Sequence, residues 1–137
     1  MPTPSYRKDT VNFKFHNANP RGLLSAPDCV VRAISFASDD SWTSVYMDLA
    51  RIGLEIKSMP NAKATYQKYL AELGYTKHKQ PRHQNRTKLQ LYEFCMIHTT
   101  GTYIISIANH MTVVHYGKIY DTWNCSHKTV GNYWEVK

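Results

Sequence analysis

Apolar residues recur at helical spacing through the first two thirds of the chain, and the pattern changes to β-branched and aromatic runs after Gly101. The first helical stripe begins at Cys29, directly after a Pro-Asp pair, and predicts a helix over residues 29–38. Three cap-forming residues follow, and the next stripe predicts a second helix over residues 42–56. The first of these helices is expected to lie at the centre of the domain.

Two further helices are predicted before the pattern changes. One spans residues 61–73 and stops at Gly74, the type of residue expected just after a helix C-terminus. The other spans residues 88–97, because Thr87 and Gln90 have the spacing of a capping box and a Thr-Thr-Gly turn follows the apolar stripe.

The last third of the chain has the texture of an antiparallel sheet. Asn and Gly residues separate four strand-like runs, over residues 102–108, 111–116, 118–123 and 132–136. Residues 1–27 are rich in Pro, Asn and charge, which predicts an irregular arm that packs onto the domain. We therefore expect an α+β protein whose helices pack on a C-terminal antiparallel β-sheet.

Length and composition agree with one domain over residues 1–137, since 42% apolar content is enough for a buried core. The apolar runs are too short to span a bilayer and the N-terminus lacks the apolar stretch of a signal peptide. A cytoplasmic protein with no membrane partner is therefore expected. The three cysteines stand at wide spacings in an odd number, which argues for reduced thiols and against a disulfide framework.

The net charge of +7 is densest in residues 77–88, which we call the basic segment. This segment has no acidic residue, so it predicts a positive potential that suits nucleic acid or an acidic partner. It also has no aromatic side chain on which a base could stack, and a solvated loop is the plain alternative. The cations available for such a contact are Lys77, Lys79, Arg82, Arg86 and Lys88.

Cys29 is a candidate nucleophile because of its position at the first turn of a predicted helix. Unpaired backbone N–H groups and the positive end of the helix dipole favour a thiolate at such a place. A free cysteine is also a common small apolar filler of protein cores, so Cys29 alone does not decide between the two roles.

The predicted C-terminal hairpin supplies a base and an orienting carboxylate. If Tyr116 and Gly117 form its turn, strand pairing puts His110 and Asp121 on one face as diagonal neighbours. The carboxylate would then bind the imidazole Nδ1–H and leave Nε2 facing the thiol. A register slip of one residue would bring Asn124 opposite His110 and make Asn124 the orienting residue instead.

The residues around these three positions resemble those of small papain-like cysteine peptidase domains found in bacterial and phage genomes. The likeness is carried by the runs Asp28–Ile34, Asn109–Val114 and Tyr120–Asn124, and by the order of helices and strands. The resemblance implies a papain-like fold in which Cys29 is the nucleophile, His110 the general base and acid, and Asp121 the orienting residue. It also implies a peptide or protein substrate, and a host-cytoplasmic location if a phage encodes the chain.

The chain departs from that family at the oxyanion site. Papain-like enzymes commonly place a Gln about six residues before the nucleophile, where this chain has Leu23. The backbone N–H of Cys29 is one possible donor, and Asn17 or Asn19 from the arm is a candidate for the other. Trp123 is predicted to lie beside His110, where an aromatic ring would shield the His–Asp pair from water.

Three functions remain open on the sequence alone. The first is a thiol hydrolase, a cysteine peptidase or isopeptidase that works through a thioester, although acyl transfer and deamidation would use the same residues. The second is a degenerate, non-catalytic module that binds nucleic acid or an acidic partner through the basic segment. The third is a zinc site built from Cys95, His98, Cys125 and His127. The other two functions require no cofactor.

Overall fold

The computed structural model describes residues 3–137, so the first two residues of the predicted arm, Met1 and Pro2, lie outside the described part. After a single 3-10 turn at Ser5–Arg7, the helices are α1 Cys29–Ser38, α2 Trp42–Ile56, α3 Lys63–Glu72 and α4 Leu91–Ile97. The strands are β1 Phe13–Phe15, β2 Thr76–His78, β3 Thr102–Ile107, β4 His110–His115, β5 Lys118–Asp121 and β6 Tyr133–Glu135.

All six strands belong to one sheet in the order β1-β5-β4-β3-β6-β2. The predicted antiparallel meander is present at its centre, where β4 pairs with both β3 and β5. The sheet as a whole is mixed, because β1 runs parallel to β5 and pairs Phe13 with Ile119 and Phe15 with Asp121. The α+β class and the antiparallel pairing of the C-terminal strands are therefore confirmed, and the sheet extends beyond them to the unpredicted strands β1 and β2.

The sheet separates two hydrophobic cores. On one face α1, α2 and α3 pack on sheet residues such as Ile104, Met111 and Val113. On the other face α4 contributes Leu91 and Phe94 to a smaller core with buried residues of β1 and β3–β5. Since successive residues of a strand point to opposite faces, both cores are served by the same strands. This explains why β4 is buried over four consecutive residues, 111–114.

Two predicted segments are corrected by the structure. The fourth helix begins at Leu91, three residues later than predicted, because the capping box is formed by Gln90 and Glu93 and not by Thr87 and Gln90. The arm is not wholly irregular, since β1 lies within it and the Phe13 side chain is fully buried. A strand of three residues is too short for alternation to reveal it in a sequence.

The hairpin between β4 and β5 sets the geometry of the site. Its turn residues Tyr116 and Gly117 both have positive φ, at 49° and 77°, as a two-residue hairpin turn requires. The predicted pairing of His115 with Lys118 is confirmed, with Val114 opposite Ile119. His110 begins β4 and Asp121 ends β5, and because the two strands are antiparallel, both residues lie at the same end of the strand pair.

Within residues 3–137, no helix combines the length and the apolar content that crossing a membrane requires.

Candidate active site

Cys29 is the first residue of α1 and is half-buried, and it lies near the start of β4, where His110 is found. The residue before it, Asp28, takes the N-cap position, but its side chain makes no capping hydrogen bond to the helix. The backbone N–H groups of the first turn, including that of Cys29, therefore have no side-chain acceptor. A negative charge on the Cys29 sulfur, or on an oxygen next to it, would face the positive end of the helix.

His110 connects Cys29 to Asp121. Its Nε2 lies 2.6 Å from Asp121 Oδ2, and its imidazole lines the same cleft as Cys29, close enough to lower the pKa of the thiol. Because Nε2 is bound to the carboxylate, Nδ1 is the ring nitrogen that is left to accept the thiol proton. The ring is thus turned the other way round from our prediction, although the three residues and their order are the predicted ones.

The electrostatics of the three groups favour a thiolate–imidazolium pair. Burial by itself raises the pKa of the Cys29 thiol, but the hydrogen bonds from His110 and Met111 and the nearby positive charges outweigh it, and the pKa is lowered. Burial likewise opposes the charged form of His110, yet its bonds to Asp121 and Cys29 raise its pKa to about 9. Both shifts favour the ionised form of the group, and the thiolate is the reactive form of a cysteine.

Arg32 anchors Asp121 from the side opposite His110. Its guanidinium donates from Nη1 to Asp121 Oδ1 at 2.9 Å and from Nε to Asp28 Oδ1 at 2.8 Å. The three side chains are only 12%, 2% and 7% exposed, so this is a buried ionic cluster. Both Asp121 oxygens are thus engaged, one by the base and one by Arg32, which fixes the carboxylate plane against His110.

Asp28 is the functional residue that the sequence did not reveal, since it was interpreted only as the start of a helix. Besides Arg32, its carboxylate accepts hydrogen bonds from the Trp42 indole at 3.0 Å and from the Asn19 amide at 2.9 Å. It therefore joins the arm, α1 and α2 at the base of the site. The spacing of Asp28 and Arg32, four residues apart on a helix, was the available signal.

The supporting residues proposed from the sequence take different positions. The amide of Asn17 donates to the Leu23 carbonyl, and that of Asn19 donates to Asp28, so both amides are accounted for by anchoring the arm. The side chain of Asn124 accepts from the Ser126 N–H, and Asp121 alone orients His110. Trp123 lies against the imidazole, with ring centroids 4.9 Å apart, in agreement with the predicted shielding position.

The zinc set considered from the sequence does not form a cluster. Among residues 3–137, the one group of three or more potential ligands is His110, Asp121 and Cys125, with ligand atoms within 4.8 Å of one another. A cation there would have to displace the hydrogen bond between His110 and Asp121 and would lie close to the Arg32 guanidinium. Burial also raises the pKa of Cys125, which disfavours the thiolate that a metal needs.

Comparisons of the chain with protein-family models, with curated proteins and with solved structures returned no match. The geometry of the site and its chemistry are therefore the basis on which a function can be proposed.

Proposed function

We propose that this protein is a papain-like thiol hydrolase that cleaves a peptide or isopeptide bond through a covalent thioester on Cys29. The observation that carries the proposal is that Cys29, at the start of a helix, lines one cleft with His110, whose Nε2 is hydrogen-bonded to the buried Asp121. A cysteine that only fills a core, or a histidine that is only structural, would not need this arrangement of three residues. A nucleophile, a base and an orienting acceptor in contact are the arrangement that acyl transfer to sulfur requires.

The reaction follows from the protonation states of the two central groups. The Cys29 thiolate attacks the carbonyl carbon, a C–S bond forms, and the negative charge moves to the carbonyl oxygen, which the Cys29 N–H can bind. When this intermediate collapses, the C–N bond breaks and the leaving nitrogen takes the proton from His110. His110 is then neutral and removes a proton from water, which hydrolyses the thioester and restores the thiolate.

Asp121 and Arg32 act through His110. The carboxylate holds the imidazole in one orientation and stabilises its positive charge before the proton is transferred. Arg32 holds the carboxylate in turn and is a positioning residue. An amine in place of water would give acyl transfer, and a side-chain amide as substrate would give deamidation, with no change in these roles.

The proposal is tested by incubating the protein with a mixed peptide library and measuring both cleavage and the intact mass of the protein. We expect cleavage by the wild type, a transient mass increase equal to an acyl group, and a loss of about 10³-fold or more in Cys29→Ala and in His110→Ala. His127→Ala, which removes an exposed histidine, is the matched control and should keep full activity. Cleavage that persists in Cys29→Ala would overturn the proposal.

A further inference from the structure

A cleft opens beside Cys29 and is lined by cationic and neutral groups. Its volume is about 420 Å³, and its wall includes Asn61, Lys63 and Tyr66 as well as Cys29 and His110. No carboxylate of residues 3–137 is part of this lining. Lys63 is exposed and makes no salt bridge with the described acidic residues. The cleft therefore carries a free positive charge close to the proposed nucleophile.

Two hydrogen bonds connect the basic segment to the cleft. The backbone of Ser106, which also lines the cleft, accepts a hydrogen bond from Gly131 N–H at 2.7 Å. The neighbouring carbonyl of Val130 accepts one from the Gln80 amide at 2.8 Å, so the basic segment is fastened to the same wall. The two hydrogen bonds thus link the basic segment to Ser106 of the cleft through the adjoining residues Val130 and Gly131.

A second contact links the two regions on the side of α3. Trp134 meets the Tyr66 ring edge-on at a centroid distance of 5.9 Å, and the Lys77 ammonium lies 5.9 Å from the Trp134 ring. Tyr66 belongs to the cleft and Lys77 begins the basic segment. Side-chain contacts through the buried Trp134 therefore connect the cleft to the start of the basic segment.

The cations of the basic segment lack acidic partners, although the Arg82 guanidinium donates to the Arg86 carbonyl and to Gln80. All five are exposed, and none of them pairs with a carboxylate within residues 3–137: Lys77, Lys79, Arg82, Arg86 and Lys88. The two acidic residues nearby are already engaged, since Glu135 bonds His78 and Glu93 bonds His83. Both acids thus have a histidine partner, and neither pairs with one of the five cations.

We propose that the cleft and the basic segment together form the docking surface for an acidic polypeptide, which is the substrate of Cys29. This inference rests on the proposed function and names its substrate class. Charge complementarity selects a polyanion, and the chemistry of the thiolate selects an acyl carbonyl, which a polypeptide offers and a nucleic acid lacks. The basic segment also has no Phe, Trp or Tyr on which bases would stack.

Electrophilic peptides of equal length test the inference without knowledge of the true substrate. Three vinyl sulfone peptides, rich in Glu, in Gln or in Lys, are compared by the rate at which each alkylates Cys29. We expect the Glu peptide to react about tenfold faster than the Gln peptide at low salt, with the Lys peptide slowest and the differences reduced at high salt. Equal rates for the Glu and Gln peptides would overturn the inference.

Two charge-reversal variants on the same helix separate the cleft from general charge. Lys63→Glu should remove the preference for the Glu peptide, whereas Lys68→Glu, an exposed residue that does not line the cleft, should retain it. Arg82→Glu combined with Arg86→Glu should slow a long Glu peptide more than a short one. If Lys63→Glu and Lys68→Glu behave alike, the cleft does not select acidic residues.

The outcomes also distinguish this inference from the proposed function. Iodoacetamide, which is small and uncharged, reports the thiolate alone, so the peptide rate of each variant is divided by its iodoacetamide rate. A fast reaction with iodoacetamide but no preference among the peptides would contradict the docking surface and remain consistent with the hydrolase. A slow reaction with every reagent would contradict the hydrolase itself. If a single-stranded oligonucleotide binds more tightly than a Glu peptide of equal charge, the surface serves nucleic acid and the inference is wrong.

Discussion

Arg32 is the residue on which the geometry of the site depends most. It is the cation shared by two buried carboxylates, and each of them holds a different part of the site: Asp121 orients His110, and Asp28 joins the arm to α2. Buried charges are tolerated only when they are paired and hydrogen-bonded. Loss of the guanidinium would leave two buried carboxylates facing each other across an unfilled position.

Replacing Arg32 tests this cluster. Arg32→Gln should lower the free energy of unfolding by about 3–5 kcal/mol, because breaking a buried ion pair leaves its partner charge uncompensated. Urea unfolding measures the change. Arg51→Gln is the matched control, since Arg51 is 50% exposed in its pairs with Glu55 and Glu72 and its loss should cost less than about 1 kcal/mol. Equal effects of the two variants would contradict the role given to Arg32.

The three cysteines should differ sharply in reactivity. Cys95 is 2% exposed and burial raises its pKa to about 12, Cys125 is 1% exposed with its pKa also raised, and only Cys29 combines access with a lowered pKa. Limited iodoacetamide treatment of the native protein should therefore modify Cys29 alone, as peptide mapping by mass spectrometry would show. Modification of Cys95 or Cys125 at a similar rate would contradict this ordering.

Cys29, His110 and Asp121 could be predicted from the sequence because helix position and hairpin register are local properties. The turn at Tyr116 and Gly117 fixes which residues share a face, and that placed His110 near Asp121. The orientation of the imidazole could not be predicted, because it depends on where α1 lies relative to the sheet. The hub role of Asp28 was missed for the same reason, since two of its partners come from other elements.

At the scale of elements, β1 is the part of the fold that secures the orienting strand. It runs parallel to β5 along its outer edge and pairs directly with Asp121 through Phe15. The His16 N–H also donates to the Asp121 carbonyl at 2.8 Å. Without β1, β5 would be an edge strand with one neighbour, and its last residue would be free to move.

Truncation of Phe13 tests whether β1 contributes in this way. Phe13 is fully buried in the smaller core, so Phe13→Ala should lower the free energy of unfolding by about 3–5 kcal/mol. The effect is measured by urea unfolding. Val11→Ala, two residues away and 82% exposed, should change stability by less than about 0.5 kcal/mol. A small effect at Phe13 would mean that the arm is not part of the folded core.

The elements recovered from the sequence are those with long, regular patterns. The stripes that predicted α1 and α2 run over 10 and 15 residues, and both helices have the predicted bounds. The missed strands β1 and β2 have three residues each, and their partners are distant in sequence. Pairing of β1 with β5 is decided by tertiary packing of Phe13, which no local pattern records.

At the scale of the whole molecule, the site couples stability to pH. His110 has a raised pKa, so alone it would stabilise the fold fully below about 6.5, its unfolded value, and lose that contribution as pH rises through about 9. Cys29 has a lowered pKa, so its contribution has the opposite sign: it is present above the unfolded pKa and is lost as pH falls. In the wild type the two terms offset each other between these limits.

Removal of the thiol should expose the histidine term. In Cys29→Ser the bond to Asp121 still raises the pKa of His110, so stability should fall as pH rises above about 6.5. The difference in unfolding free energy between the wild type and Cys29→Ser should therefore grow by roughly 1 kcal/mol from pH 6.5 towards pH 9, as urea unfolding would measure. A difference that is constant over this range would contradict the thiolate–imidazolium pair.

The proposed hydrolase mechanism requires that Cys29 and His110 form this ion pair in the folded protein. The most direct measurement is the rate of iodoacetamide alkylation of Cys29 against pH, in a protein with Cys95 and Cys125 replaced by Ser, with and without His110→Ala. The rate should rise at a pH well below the ~8.5 of a free thiol, and His110→Ala should move that rise upward. A Cys29 that titrates like a free thiol in both proteins would contradict the catalytic account.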